Sequence, residues 1–197
     1  MVNRNPHPPP RRLPNRALRS REYLTEDEVN ELIAAARSVG RHRLRDATLI
    51  LVSYRHGLRV SEATDLRWEQ VDFRHELLHV RRVKNGTAST HPLGGEECRC
   101  LRELRQIYPD ARHVFLSELK APLSPACIQK IVARAGRLAG LPFRAHPHML
   151  RHACGYKLAN DGQDTRAIQG YLGHRNINHT VRYTELSPER FRGFWKD

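Results

Sequence analysis

Six side chains in this chain of 197 residues form a set able to break and remake a phosphodiester: Arg59, Lys84, His148, Arg151, His174 and Tyr183. Two fall within His148-Met149-Leu150-Arg151, and Leu172-Gly173-His174 is followed nine positions after the histidine by Tyr183. Attack on a DNA phosphate builds negative charge on the non-bridging oxygens, and the permanently charged, planar forks of Arg59 and Arg151 are suited to clamp both of them. A tyrosine hydroxyl, with an ordinary pKa of about 10, is a weak nucleophile unless positive charge or a base assists it. His148 or His174 can take or stabilise that proton, and Lys84 can protonate the departing 5′-oxygen. This set needs no metal and no cofactor. Cleavage through a phosphotyrosine also keeps the energy of the broken bond, so rejoining needs no nucleotide. In keeping with that, the sequence has neither a Walker-type glycine loop nor paired carboxylates for a two-metal nuclease.

Other readings of the same residues are weaker. Either arginine taken alone is an ordinary surface residue in so basic a protein. His146, His148 and His152 invite a metal reading, but the segment offers no carboxylate to complete a ligand set. Asp161 and Asp164 fit a loop and a helix cap.

The formal net charge is +13 and the pI about 10.3, which points to a polyanionic partner bound largely through counterion release. No apolar run approaches the roughly 18 residues of a membrane span, and the N-terminus lacks a secretory apolar core, so the expected location is cytoplasmic and nucleoid-associated, with no membrane partner. Cys98, Cys100, Cys127 and Cys154 include one close pair, Cys-Arg-Cys, too tight for a zinc knuckle, and are expected to be reduced thiols.

These groups need a scaffold. Residues 1–22 are rich in arginine and proline and are expected to form a disordered basic arm; residues 23–197 should form one domain, mainly α-helical with a small antiparallel β-sheet. Thr25-Glu26-Asp27-Glu28 reads as a capping box opening a helix that buries Val29, Leu32, Ile33 and Ala36. A second helix, Leu44 to Tyr54, is apolar nearly all round and should be central, with Gly57 at its cap and a short helix from Ser61 to Leu66 after Arg59. Glu76 to Val83 and Thr87 to Leu93 read as a hairpin around Asn85-Gly86, with Lys84 near its tip. Helices are predicted at Gly95 to Ile107, Pro125 to Ala139 capped by Ser124, His148 to Ala159 and Thr165 to Leu172, the last stopped by Gly173. His113 to Ser117 suggests a short strand. Thr180 is expected to cap a last helix with Tyr183 in its first turn.

With those residues in place, the chain resembles the tyrosine recombinases, or phage integrase family. The matching stretches are Gly57-Leu58-Arg59-Val60-Ser61-Glu62-Ala63, Lys84 before Asn85-Gly86, His148-Met149-Leu150-Arg151-His152, Leu172-Gly173-His174 and Tyr183-Thr184, in the family's order. Within the family it is most similar to the short fimbrial phase-variation recombinases, which invert a promoter-bearing DNA element. That likeness rests on Thr90-His91-Pro92-Leu93, His146 to His152, Tyr171 to Ile177 and His179-Thr180-Val181. The resemblance implies the recombinase catalytic-domain fold without a separate N-terminal core-binding domain. It implies that Tyr183 forms a 3′-phosphotyrosine while Arg59, Arg151, His148 and His174 activate the phosphate and Lys84 protonates the leaving group. It also implies double-stranded DNA with inverted-repeat sites as substrate, a homotetramer in the synaptic complex, and DNA-bending host proteins as possible helpers. The aromatic tail of Phe191, Phe194 and Trp195 is expected to pack on a neighbouring protomer. Rival readings are an integrase or excisionase of a mobile element, a type IB topoisomerase, and a non-catalytic DNA-binding regulator that would not need Tyr183.

Overall fold

The computed structural model describes residues 22–82 and 87–185. The basic arm, Lys84 with its Asn85-Gly86 turn, and the aromatic tail therefore lie outside the described residues. Helix α1 (Glu26–Ser38) opens on the expected capping box: Glu28 N–H donates to the Thr25 hydroxyl, and Thr25 N–H donates to the Glu28 carboxylate at 2.8 Å. Its apolar residues fall at helical spacing and bury Val29, Leu32, Ile33 and Ala36. Each of the three larger side chains contributes about 1.5–3 kcal/mol by leaving water.

That face packs on α2 (Arg43–Arg55), the organising element of the fold. From Asp46 to Tyr54 every α2 residue is buried, as its all-round apolar pattern requires. The helix faces two cores. Ala47, Ile50, Leu51 and Tyr54 join the first, with α1, α6 (Pro147–Asn160), α7 (Thr165–Leu172) and α8 (Asn178–Glu185). Leu49 and Val52 join the second, with the short α3 (Val60–Thr64), the sheet, and α4 (Gly95–Ile107). Helix α5 (Pro125–Leu138) closes the molecule between them, its first turn capped by the Ser124 hydroxyl.

The sheet has three antiparallel strands in the order β1 (Val71–Asp72), β2 (Leu77–Val80) and β3 (Ser89–Pro92). Leu78 faces His91 and Val80 faces Ser89. Pro92 is tolerated because, among the described residues, β3 is an edge strand with one side free of ladder bonds. A buried polar cluster pins β3 to the helices. His56 Nδ1 lies 3.1 Å from His91 Nδ1, His56 Nε2 lies 2.8 Å from Glu97, and the His91 ring stacks on Tyr171 at 3.7 Å.

Two local expectations are corrected. His113 to Ser117 forms isolated bridges, Arg67 to His113 and Leu116 to Pro122, because no neighbouring strand is long enough to extend a ladder. Thr180 does not cap the last helix. That helix begins at Asn178, so Thr180 is internal and Tyr183 lies in the second turn. The four cysteines are unpaired, with Cys127 exposed and the others buried.

Candidate active site

Two helices end in the same way, and those ends build the site. At the end of α2, Gly57 takes the left-handed conformation (φ 56°), Gly57 N–H donates to Tyr54 O, and Leu58 N–H donates to Ser53 O. At the end of α7, Gly173 does the same (φ 64°), with bonds from Gly173 N–H to Gly170 O and from His174 N–H to Gln169 O. Both are Schellman turns, which favour a residue without a Cβ at the reversal. The two turns touch, since a Cβ on Gly57 would lie 2.4 Å from Leu172 Cδ2. Arg59 leaves the first turn and His174 leaves the second, so a local rule for stopping helices delivers two predicted site residues to one place.

Arg151 joins the turns. It projects from α6, is almost fully buried, and donates through Nη1 to Gly57 O and through Nη2 to Leu172 O, the latter at 2.7 Å. Carbonyls at helix C-termini carry partial negative charge, so a guanidinium is a favourable partner for them. Desolvation, followed by repulsion from Arg59 and Arg82, lowers the Arg151 pKa to about 10, which leaves it charged at neutral pH. Arg59 is more open, its side chain 29 % exposed, and is held at 2.7 Å by Glu62, whose other oxygen accepts from the Arg59 N–H. Burial would raise the Glu62 pKa, but the Arg82 charge and the hydrogen bonds from Arg59 outweigh it and hold the carboxyl below its usual range.

The histidines near this charge are kept neutral. Desolvation, then the Arg151 and Arg59 charges, bring His174 down to about 3, and its Nδ1 lies 2.8 Å from the Thr180 hydroxyl. In the tautomer where that hydroxyl donates to Nδ1, the ring carries its proton on Nε2 as a hydrogen-bond donor. His148, one turn before Arg151 on α6, is also shifted downward, first by desolvation and then by Arg151, Arg182 and Arg59.

Tyr183 is 1 % exposed. Its ring stacks at 6.2 Å on His174, meets Tyr156 edge-on at 5.0 Å, and fills the space left by Gly155, where a Cβ would come within 2.6 Å of it. Its hydroxyl lies 2.8 Å from His152 Nδ1. Desolvation exceeds the opposing influence of Arg151 and Arg182 and pushes the Tyr183 pKa up to about 12, while His152 is lowered to about 3 by desolvation and then by His148 and the nearby arginines. The pair is therefore a neutral phenol on a neutral imidazole, an arrangement that retains the phenol's proton.

Next to these groups lies an open cavity of about 710 Å³, lined by Arg59, Arg166, His174, Arg175 and His179 among others. It is wide and cationic, suited to a polyanionic backbone more than to a small molecule. Five of the six predicted residues thus converge from α6, α7, α8 and the α2–α3 turn, and Lys84 lies outside the described residues. Sequence reasoning gave no role to Glu62 or Arg82, weighed His152 only as a weak metal candidate, and read Thr180 as a helix cap. Arg82 had a usable signal: it continues the alternation of buried Leu78 and Val80, which places it on the inner face. Glu62 meets Arg59 three residues away and Thr180 meets His174 six away, whereas the contact of His152 with Tyr183 spans 31 residues.

The model of the phage integrase family matches residues 22–190. The chain belongs to that family and is a tyrosine-type site-specific DNA recombinase. Among characterised proteins it is 43% identical over 182 residues to the type 1 fimbriae regulatory protein FimB of Escherichia coli strain K12, covering 90% of each chain. It is also 43% identical to FimE of the same strain, covering 89% of this chain and 91% of that one. Among solved structures, XerA recombinase superposes with a TM-score of 0.75 at 28% identity, over 87% of this chain and 63% of XerA. XerH bound to a palindromic difH substrate gives 0.74 at 23% identity, over 86% and 51%, a likeness of fold.

Proposed function

We propose that this protein inverts a promoter-bearing DNA segment between inverted-repeat sites, in the manner of a fimbrial phase-variation recombinase. The observation that carries the chemistry is the gathering of Arg59, Arg151, His148 and His174 around Tyr183 from separate stretches of chain. The similarity to both FimB and FimE, over 89–91% of each chain, supports inversion in particular. In the proposed reaction, the Tyr183 oxygen bonds to the scissile phosphorus as its proton passes to a neighbouring histidine or to water. The bond from phosphorus to the 5′-oxygen breaks, and that oxygen takes a proton from Lys84. A 3′-phosphotyrosine and a free 5′-hydroxyl result. Arg59 and Arg151 neutralise the non-bridging oxygens, and His174, neutral with a donor free in one tautomer, adds a hydrogen bond. Rejoining reverses these steps with the 5′-hydroxyl of another strand. Exchange between two sites takes four copies, and DNA-bending host proteins would bring the sites together.

The buried position of Tyr183 adds a condition: the hydroxyl must leave His152 before it can attack. A nicked DNA duplex carrying the flanking repeat tests the chemistry. The wild-type protein should form an adduct stable to denaturant without added metal or nucleotide, and Tyr183→Phe should form none while binding DNA within about threefold of wild type. If Tyr183→Phe kept full switching in cells, the protein would be a non-catalytic regulator. A plasmid carrying both repeats tests the outcome, because inversion products support this reading whereas integration or excision products replace it with the mobile-element alternative.

A further inference from the structure

Arg82 lies two residues beyond β2, and its side chain is 0 % exposed. Four acceptors surround it. Nη1 donates to Glu62 Oε2 at 2.8 Å and reaches Gly57 O at 3.5 Å; Nη2 donates to His56 O at 3.2 Å and to Tyr171 O. The stem of the side chain occupies the face of Gly173, where a Cβ would come within 2.7 Å of its Cγ. One guanidinium therefore binds the α2 terminus that precedes Arg59, the carboxylate that grips Arg59, and the α7 terminus that precedes His174.

Stability alone does not account for a charge in this place. Desolvating a guanidinium is costly, and a well-packed apolar side chain of similar volume usually holds a core as well or better than a buried ion pair. Here even Nε is buried without a hydrogen-bond partner. What an apolar side chain cannot do is fix direction and spacing among a carboxylate and three carbonyls, which a rigid five-donor fork does. Arg151 also bridges the two turns and is just as buried, but it belongs to the six residues assigned to the phosphate chemistry, whereas Arg82 does not.

We propose that Arg82 is a positioning residue for the cleavage step: without touching DNA, it sets the distance between Arg59, acting through Glu62, and His174, acting through the Gly173 turn. The inference rests on the proposed cleavage chemistry and extends it to a residue outside the six-member set.

The test uses the full chain with nicked DNA and the variants Arg82→Met and Arg82→Lys. DNA affinity should stay within about threefold of wild type, while the adduct-forming rate at saturating DNA falls on the order of 100-fold in Arg82→Met, the scale expected for a misplacement of about 1 Å in a reacting site. Arg82→Lys, which keeps the charge but not the fork, should recover part of the loss. The decisive readout is a neutral methylphosphonate at the scissile position, which needs one fewer cation. There the gap between Arg82→Met and wild type should shrink to about tenfold or less, because the misplaced Arg59 matters less. An equal loss on both substrates would mean that Arg82 acts only on folding, and a cleavage rate within threefold of wild type would also overturn the proposal. If Arg82→Met does not fold, Arg82→Lys is put through the same comparison of substrates: a smaller loss on the methylphosphonate supports the positioning role, and an equal loss on both substrates overturns it. Wild-type protein forming no adduct would count against the cleavage chemistry itself, an outcome distinct from either of these.

Discussion

The arginine cluster and Tyr183, the proposed nucleophile, occupy one site but are held in different ways. Arg151 and Arg82 are bonded to main-chain carbonyls at two helix ends, and Arg59 is held by a buried carboxylate. Those anchors move only if helices move. Tyr183 is on an eight-residue helix kept in place largely by side-chain contacts: its own with His152, Thr180 with His174, Thr184 with Thr165, and Arg182 with Glu22. Side-chain contacts of this kind can be exchanged one at a time. The contrast indicates that the arginine cluster is preorganised, which is where electrostatic catalysis gains most in the proposed reaction, and that Tyr183 is held by contacts that are more easily exchanged.

Arg151→Met should break the cradle most severely. It leaves Gly57 O and Leu172 O without their guanidinium and removes a charge from the proposed phosphate site, so cleavage should fall by about 10²–10³-fold, the scale seen for loss of one preorganised donor. Single-turnover adduct formation measures it. Gly57→Ala attacks the same half through the backbone, combining a left-handed residue that acquires a Cβ with a clash against Leu172. Unfolding free energy should drop by about 2–4 kcal/mol, read from denaturant midpoints.

The histidines predict a pH dependence. His91 and His152 have pKa values lowered to about 3 in the folded protein, against an ordinary value near 6.5. As pH falls below about 6.5 the unfolded chain takes up protons that the folded one refuses, so stability declines towards pH 3 at up to about 1.4 kcal/mol per pH unit for each histidine. Above pH 7 these groups contribute no slope. His152→Gln should flatten the decline by one proton's worth in denaturation curves across that range. The smallest effect belongs to the nucleophile's own pocket. Gly155→Ala favours helix α6 intrinsically but crowds the Tyr183 ring, so the Tyr183 phenol should titrate at least one unit closer to 10. The difference in phenolate absorbance between Gly155→Ala and its Tyr183→Phe derivative reads that shift. No movement would mean that the ring is not stored as tightly as the contrast requires.

Much of the architecture was legible because it is written in short-range rules. The Thr25 capping box, the all-round apolar α2, Ser124-Pro125, and the glycine stops at Gly57 and Gly173 each act within a few residues, and the helices they predict appear within a residue or two of the expected bounds. The last helix departs from its expected start because Thr180 has the chemistry of a cap, yet its hydroxyl is engaged by His174 six residues earlier in the chain. The site was legible as a set of residue types in family order, but its working state was not.

The sequence by itself determined the family, the mainly helical class with a small antiparallel sheet, and the residues able to handle a phosphate, because motif order and helix punctuation are local properties of the chain. Only the tertiary structure decided that Arg82 would be buried as a bridge between two helix ends and pair with Glu62, and that Tyr183 would rest on His152 with its proton retained. Those outcomes depend on which carbonyls, charges and rings from distant segments meet away from water, and burial sets the strength of each such meeting.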